Sequence, residues 1–233
     1  MKHDVILERA EKQQAMLINC AKHQLLLDAS GALIWPKHKL LVVSDLHFEK
    51  GSYFASRGSL IPQYDSRKTL SRLTDLISRY QPQKIVCLGD SFHDLSAWLR
   101  FSDAEKRDLA SLVAGKHEWI WVLGNHDPDI PEALGGTKMT RLVLDDVLLC
   151  HEPEPQHRVT FQVFGHFHPK LTKRVARHNI TGRCFVLNAT SLVLPAFGAY
   201  AGGLNIDEAP LNTLFNRRTR KAYLIYEDKL HRV

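Results

Sequence analysis

Nine side chains able to bind a metal or move a proton fall into five short clusters along the chain. They are Asp45 and His47 in Ser44-Asp45-Leu46-His47, Asp90 in Gly89-Asp90, and Asn125, His126 and Asp127 in Gly124-Asn125-His126-Asp127. His151 stands alone, and His166 and His168 close the series in Gly165-His166-Phe167-His168. Imidazole and carboxylate together suit first-row divalent ions such as Mn, Fe and Zn. Alternate residues of an extended chain face the same way, so Asp45-x-His47 and His166-x-His168 can each act in concert. That spacing permits two ligands of one metal, or one ligand to each of two neighbouring metals. A single histidine in a strand is commonly structural. Five clusters, each at the exit of an apolar run, ask for a shared cause, and metal-assisted hydrolysis is the chemistry they fit.

Those runs are Leu40–Val43, Ile85–Leu88, Trp119–Leu123, Val147–Cys150 and Phe161–Phe164. They are short, apolar and rich in aromatic and β-branched residues, which predicts buried strands. Between the first two, Leu70, Leu73, Ile77 and Tyr80 recur at helical spacing, with Asp65 or Ser66 as the cap and Pro82 as the stop. Between the second and third, Ser102 and Glu105 form a capping box ahead of Leu109, Leu112 and Val113, and Gly115 ends the helix. Strand, helix, strand, helix, strand implies parallel βαβ units whose ligands gather at the carboxyl ends of the strands. Phe48 to Pro62 reads as a loop. A hairpin of Gln24–Leu27 and Ala32–Trp35 precedes these units, after a polar start with no assigned element. Beyond Arg141 the pattern turns to strands: Arg141–Leu144 pairs with Val147–Cys150, and Cys184–Leu187 and Lys221–Tyr226 follow.

The 233 residues are read as one domain over 1–233, with 44% hydrophobic and 24% charged residues, as in ordinary globular chains. A formal charge of +6 is compatible with a polyanionic partner such as nucleic acid, and equally with an ordinary basic surface. Cys20, Cys87, Cys150 and Cys184 form no CxxC pair, so neither a disulfide framework nor a cysteine zinc site is expected. No apolar run nears the roughly 18 residues of a membrane span, and Met1 to Glu11 lacks a signal core. A cytoplasmic location is the expectation.

Taken in order, the five motifs resemble those of the calcineurin-like metallophosphoesterases, intact from residue 45 to 168. The resemblance implies an α/β fold, a β-sandwich of two mixed sheets flanked by α-helices with two metals at the strand ends. Asp45, His47 and His168 would hold the first ion. Asn125, His151 and His166 would hold the second, and Asp90 would bridge them. His126 would be the catalytic histidine that contacts the scissile phosphate and assists the leaving group, with Asp127 orienting it. The cofactor would be two divalent ions, Mn²⁺ first, with Fe, Ni, Co and Zn as alternatives, and a hydroxide between them would attack phosphorus. Lys50 to Gly58, Gly89 to Asp94 and Leu194 to Leu204 further resemble the bacterial ligase-associated DNA-damage-response endonucleases. That likeness implies a phosphodiesterase acting on DNA in repair, linked with a DNA ligase and a helicase. Two other readings stand beside it: an enzyme for nucleotides or other small phosphoesters, and a non-catalytic scaffold.

Several residues outside the motifs carry a functional and a plain reading. Arg57 either holds a substrate phosphate or is a solvated loop arginine. His93 and Asp94 support the site or touch substrate, unless Asp94 simply caps a helix from Leu95. Tyr53, Phe54, Phe197 and Tyr200 stack on bases or, the preferred reading, pin their loops to the core. Lys170, Lys173, Arg174, Arg177, His178 and Arg183 form a basic rim for a nucleic-acid backbone or a solvated hairpin face. Arg217, Arg218, Arg220 and Lys221 read as loop and turn surface.

Overall fold

Each apolar run becomes a strand because both of its faces are covered. The computed structural model describes residues 3–59, 61–176 and 178–233. One sheet holds seven strands in spatial order, β1 (Ala15–Cys20), β2 (His23–Asp28), β3 (Leu33–Trp35), β4 (Leu40–Val43), β5 (Lys84–Leu88), β6 (Glu118–Val122) and β7 (Thr137–Met139). The hairpin strands β1 to β4 run antiparallel, and β4 to β7 run parallel. The second sheet holds β8 (Arg141–Leu144), β9 (Val147–Cys150), β10 (Phe161–Phe164), β11 (Lys170–Val175), β12 (His178–Leu187), β13 (Ser191–Val193), β14 (Lys221–Tyr226) and β15 (Lys229–Arg232). Its order is β15-β14-β12-β13-β10-β9-β8, with β11 paired to β12. β9, β10 and β13 are mutually parallel and the rest antiparallel. This is the α/β sandwich of two mixed sheets expected from the sequence.

Three apolar layers follow from the period of two along each strand. Leu40, Val42, Val86, Leu88, Ile120 and Val122 face Val147, Leu149, Phe161, Val163 and Phe185 between the sheets. Their alternates Leu41, Val43, Ile85, Cys87, Trp119 and Trp121 pack under two helices, against Leu70, Leu73, Ile77, Tyr80, Leu109 and Val113. On the far side, Leu148, Cys150, Phe164 and Val186 meet Ile206, Leu211 and Phe215. All four cysteines are free and buried.

The helices are α1 (His3–Glu11), α2 (Lys50–Ala55), α3 (Asp65–Tyr80), α4 (Ala97–Arg100), α5 (Asp103–Val113) and α6 (Leu211–Leu214). The Ser102 capping box forms as expected at α5. Asp65 and Ser66 cap nothing: Tyr64 precedes α3 without a side-chain cap. Both instead bind the segment expected as a loop, in which α2 forms. The Asp65 carboxylate accepts from the Gly51 N–H at 2.9 Å, and Ser66 Oγ accepts from the Glu49 N–H at 2.8 Å. α1 and β1 were not expected either. α1 buries Ile6, and its Arg9 forms a two-point ion pair with Asp28 at 2.8 and 3.1 Å.

Candidate dinuclear metal centre

The loops after β4 and β5 leave the sheet side by side and stay bonded to each other. The Asp45 N–H donates to Gly89 O at 3.2 Å, His47 to Asp90 O at 2.9 Å and Phe48 to Ser91 O at 2.9 Å. Here and in the loop after β10, five of the polar residues take left-handed backbone: Asp45 (φ 54°), His47 (43°), Asp90 (47°), His166 (66°) and His168 (46°). Such a conformation costs a non-glycine residue about 1–2 kcal/mol and persists only where its surroundings enforce it. The expected cause of convergence is thereby corrected. Asp45 and His47 meet through paired left-handed turns, since extended alternation is absent there. Motif glycines make the room: a Cβ on Gly89 (φ 71°) would lie 2.3 Å from His151 Nδ1, and one on Gly165 1.7 Å from Ser44 Oγ.

Two groups of ligand atoms result, each within 4.8 Å of one another: Asp45, His47 and His168, and Asp90, His151 and His166. In the first, His168 Nε2 lies 3.1 Å from Asp45 Oδ1 and 3.1 Å from His47 Nε2. In the second, His151 Nε2 lies 3.4 Å from Asp90 Oδ1 and 3.3 Å from His166 Nδ1. Asn125 Oδ1 joins it, 3.0 Å from His151 Nε2 and 3.1 Å from His166 Nδ1. Asp90 faces both groups, its Oδ2 being 3.8 Å from His47 Nε2. Of the alternatives left open by spacing, Asp-x-His thus serves one group and His-x-His is divided between the two.

The donor chemistry fits divalent ions. His151 Nδ1–H donates to Leu88 O at 3.0 Å, which leaves Nε2 free to ligate. Burial chiefly drives His47 down to about 3 and His93 down to about 4, so both rings are neutral near pH 7. Burial would raise Asp45, but His168, His151 and His47 hold it below the usual carboxylate range. Burial opposes the charge on His151, yet its bond to Asp90 and the field of Asp45 push it up to about 9. Anionic carboxylates with a proton between them are what cations displace on binding.

Asp127 is placed differently from the expectation that it orients His126. Its buried carboxylate accepts four backbone N–H bonds, from Asp90 (2.9 Å), Gly124 (3.0 Å), Ser91 (2.6 Å) and Phe92 (3.1 Å). Burial pushes Asp127 up to about 7, opposed by those N–H donors and reinforced by Asp90. It therefore shapes the Asp90 turn. His126 is oriented by His93, whose carbonyl takes the Nδ1–H at 2.9 Å and whose ring stacks on it at 5.4 Å between centroids. His126 also donates its backbone N–H to Asp90 Oδ1 at 2.9 Å. The exposed His126 lines the open cleft beside it.

A calcineurin-like phosphoesterase family model matches residues 38–147. Residues 38–147 are thus similar to the calcineurin-like phosphoesterases. The matched stretch ends before His151, His166 and His168, which the fold brings to the same place as Asp45, Asp90 and Asn125. The crystal structure of Pseudomonas putida nuclease MPE is similar at TM-score 0.73 and 25% identity, over 94% of this chain and 100% of that one. YfcE, a phosphoesterase from E. coli, is similar at TM-score 0.42 and 16% identity, over 83% of this chain and 97% of that one. No curated protein matches the sequence. The chain is a hydrolase of phosphoester bonds whose two groups of ligand atoms suit a dinuclear metal site. Among its described residues no helix is long and apolar enough to cross a membrane.

Around this phosphoesterase centre, Arg57 is exposed and lies over the Tyr53 ring at 4.3 Å. The buried ring of His93 contacts both His47 and His126, at 5.5 and 5.4 Å between centroids. Asp94 accepts from the Ser96 N–H and pairs with Arg100 at 2.5 Å, and α4 starts two residues later than expected. Phe197 is fully buried and Tyr200 donates to Pro62 O at 2.8 Å, so both pin loops, as preferred from the sequence. Arg183 leaves the expected basic rim to bond the Ala196 and Ser30 carbonyls, and Arg177 lies outside the described residues. Lys50, absent from the expected site, is a partly buried ammonium in the fields of Asp45 and Asp90. Burial and the nearby Lys170 hold it below the usual lysine range. Its clue in the sequence was its place three residues after His47, in a segment read as loop.

Proposed function

We propose that the chain is a metal-dependent phosphodiesterase that cuts nucleic acid, with DNA in repair as its substrate. The observation that carries this reading is the meeting of two ligand groups at Asp90, beside an open cleft of about 630 Å³. That cleft is lined by Tyr53, Arg57, Leu95, Arg100, Asn125 and His126 among others. A guanidinium for phosphate and an aromatic ring for a base suit a nucleotide chain. The 25% identity to a nuclease over nearly the whole chain supports the same substrate class.

In this reading Asp45, His47 and His168 hold one ion, Asn125, His151 and His166 the other, and Asp90 contacts both. Bound there, two cations would lower the pKa of a water and neutralise charge on the phosphoryl oxygens. His126, its Nδ1–H fixed on His93 O, keeps Nε2 for the substrate and, as the imidazolium with that nitrogen also protonated, passes the Nε2 proton to the departing oxygen and is left neutral. Arg57 meets a phosphate oxygen on the cleft wall, and His93 supports His126 from behind. Mn²⁺ is the proposed ion because the set mixes carboxylate, carboxamide and imidazole donors. The proposal takes residues 1–233 as one catalytic unit working in the cytoplasm, alongside a DNA ligase and a helicase.

Side-by-side hydrolysis of a bis-aryl phosphodiester and an aryl phosphomonoester with Mn²⁺ tests the reaction class. The diester is expected to turn over faster, and a preference for the monoester would point to small phosphoesters instead. Labelled single-stranded DNA should shift at low salt and be released as salt rises. Failure to shift at low salt removes the nucleic-acid reading.

A further inference from the structure

A second cationic recess borders the metal centre. It is a cavity of about 490 Å³ whose wall includes Lys68, Arg72, Lys170, Arg183, Gly198 and Ala199. The backbone joins it to the site: the Gly198 N–H donates to Asp45 O at 3.0 Å, and Lys170 follows His168 by two residues.

The cations in it lack counter-charges. Arg72 donates to Phe197 O at 2.7 Å and to Ser30 O, and lies over the Phe197 ring at 4.3 Å. Arg183 donates to Ala196 O at 2.8 Å and to Ser30 O at 3.1 Å. Among the described residues neither arginine, nor Lys68 or Lys170, has a carboxylate within ion-pair distance. Asp28, whose field reaches Arg72, is already taken by Arg9 at 2.8 Å. Burial and the neighbouring Arg72 push Arg183 down to about 9, the cost of an uncompensated charge. Lys170 and Arg183 are direct cross-strand partners, and like charges placed opposite destabilise a sheet. Each guanidinium keeps unused N–H donors, since two of its five are spent on carbonyls. Two half-buried guanidiniums without a carboxylate partner, beside half-buried Lys170 and exposed Lys68, are the arrangement an oxyanion relieves.

We propose that this recess binds a non-scissile phosphate of the substrate strand, so that the nucleic acid runs across the metal centre from the Tyr53–Arg57 cleft to Lys68 and Lys170. The inference rests on the nuclease reading above and deepens it. A strand held on both sides of the cut is cut internally, and a substrate with a single phosphate leaves the recess empty.

The test uses the full-length chain, with Lys68→Ala/Lys170→Ala as the variant because both arginines also hold backbone carbonyls. Binding of labelled single-stranded DNA with a cleavage-resistant phosphorothioate backbone is followed against salt. Affinity at low salt is expected to fall about tenfold or more, and the slope of log K against log[salt] to become shallower by about 1.4, two contacts at 0.7 each. Hydrolysis of the bis-aryl diester, which carries one phosphate, measures any damage to the centre itself. The loss with DNA is expected to exceed the loss with that diester by about tenfold. Unchanged DNA affinity and slope in the variant overturn the recess while leaving the nuclease reading standing. Failure of the unsubstituted protein to bind DNA overturns both. If inorganic phosphate raises the melting temperature of the unsubstituted protein and not of the variant, while DNA affinity is unchanged, the recess is a free-anion site and the proposal falls.

Discussion

His126→Ala is expected to lower kcat about 10²–10⁴-fold on the bis-aryl diester while the protein keeps both ions. The geometry separates this histidine from the ligands beside it. Its Nδ1–H is committed to His93 O at 2.9 Å, and its ring contacts His47 and His93 at 5.3 and 5.4 Å between centroids. It belongs to neither group of convergent ligand atoms. What alanine removes is a proton donor facing the cleft. Metal content by elemental analysis, read beside the rate, decides the point. Loss of an ion together with activity would make His126 a ligand and contradict the assignment.

Asp127→Asn is expected to act by another route. The carboxylate offers two oxygens to four backbone N–H groups, Oδ1 to Asp90 and Gly124, Oδ2 to Ser91 and Phe92. A carboxamide has one acceptor oxygen, so its NH₂ confronts two of those donors. Two buried N–H groups left unpaired cost about 1–3 kcal/mol each, hence a loss of about 2–6 kcal/mol in unfolding free energy. Because the four donors flank Asp90, the residue facing both ligand groups, ion affinity falls with stability. Denaturant unfolding and metal titration check this together. Undiminished stability and metal content with low turnover would instead return Asp127 to direct support of His126.

The position of the site was legible in the sequence because strand ends are. Leu40–Val43, Ile85–Leu88 and Trp119–Leu123 are apolar throughout, which only a strand buried on both faces requires, and each breaks abruptly into polar residues. The reason the side chains converge was not legible. It lies in left-handed turns at Asp45, His47 and Asp90, enforced by bonds between loops some 45 residues apart, as from the Asp45 N–H to Gly89 O. Asp127 was misread for a related cause. Adjacency to His126 suggested a partner, whereas its actual partners Asp90, Ser91 and Phe92 are 35–37 residues away and present only backbone. α2 escaped notice because its own sequence, Lys-Gly-Ser-Tyr-Phe-Ala, has little helical preference. It is held from outside by Asp65 and Ser66, through Gly51 and Glu49. α1 carries a mostly polar sequence and buries one apolar side chain, Ile6, too little apolar periodicity to stand out.

The central claim is that two ions held around Asp90 make this chain a phosphodiesterase. Its most direct test is a titration of chelator-stripped protein with Mn²⁺ while bis-aryl diester hydrolysis is followed. The account predicts no turnover without metal and full turnover at two ions per chain. Absence of turnover with Mn²⁺, Ni²⁺, Co²⁺ and Zn²⁺ alike, or turnover that persists in chelator, would contradict it.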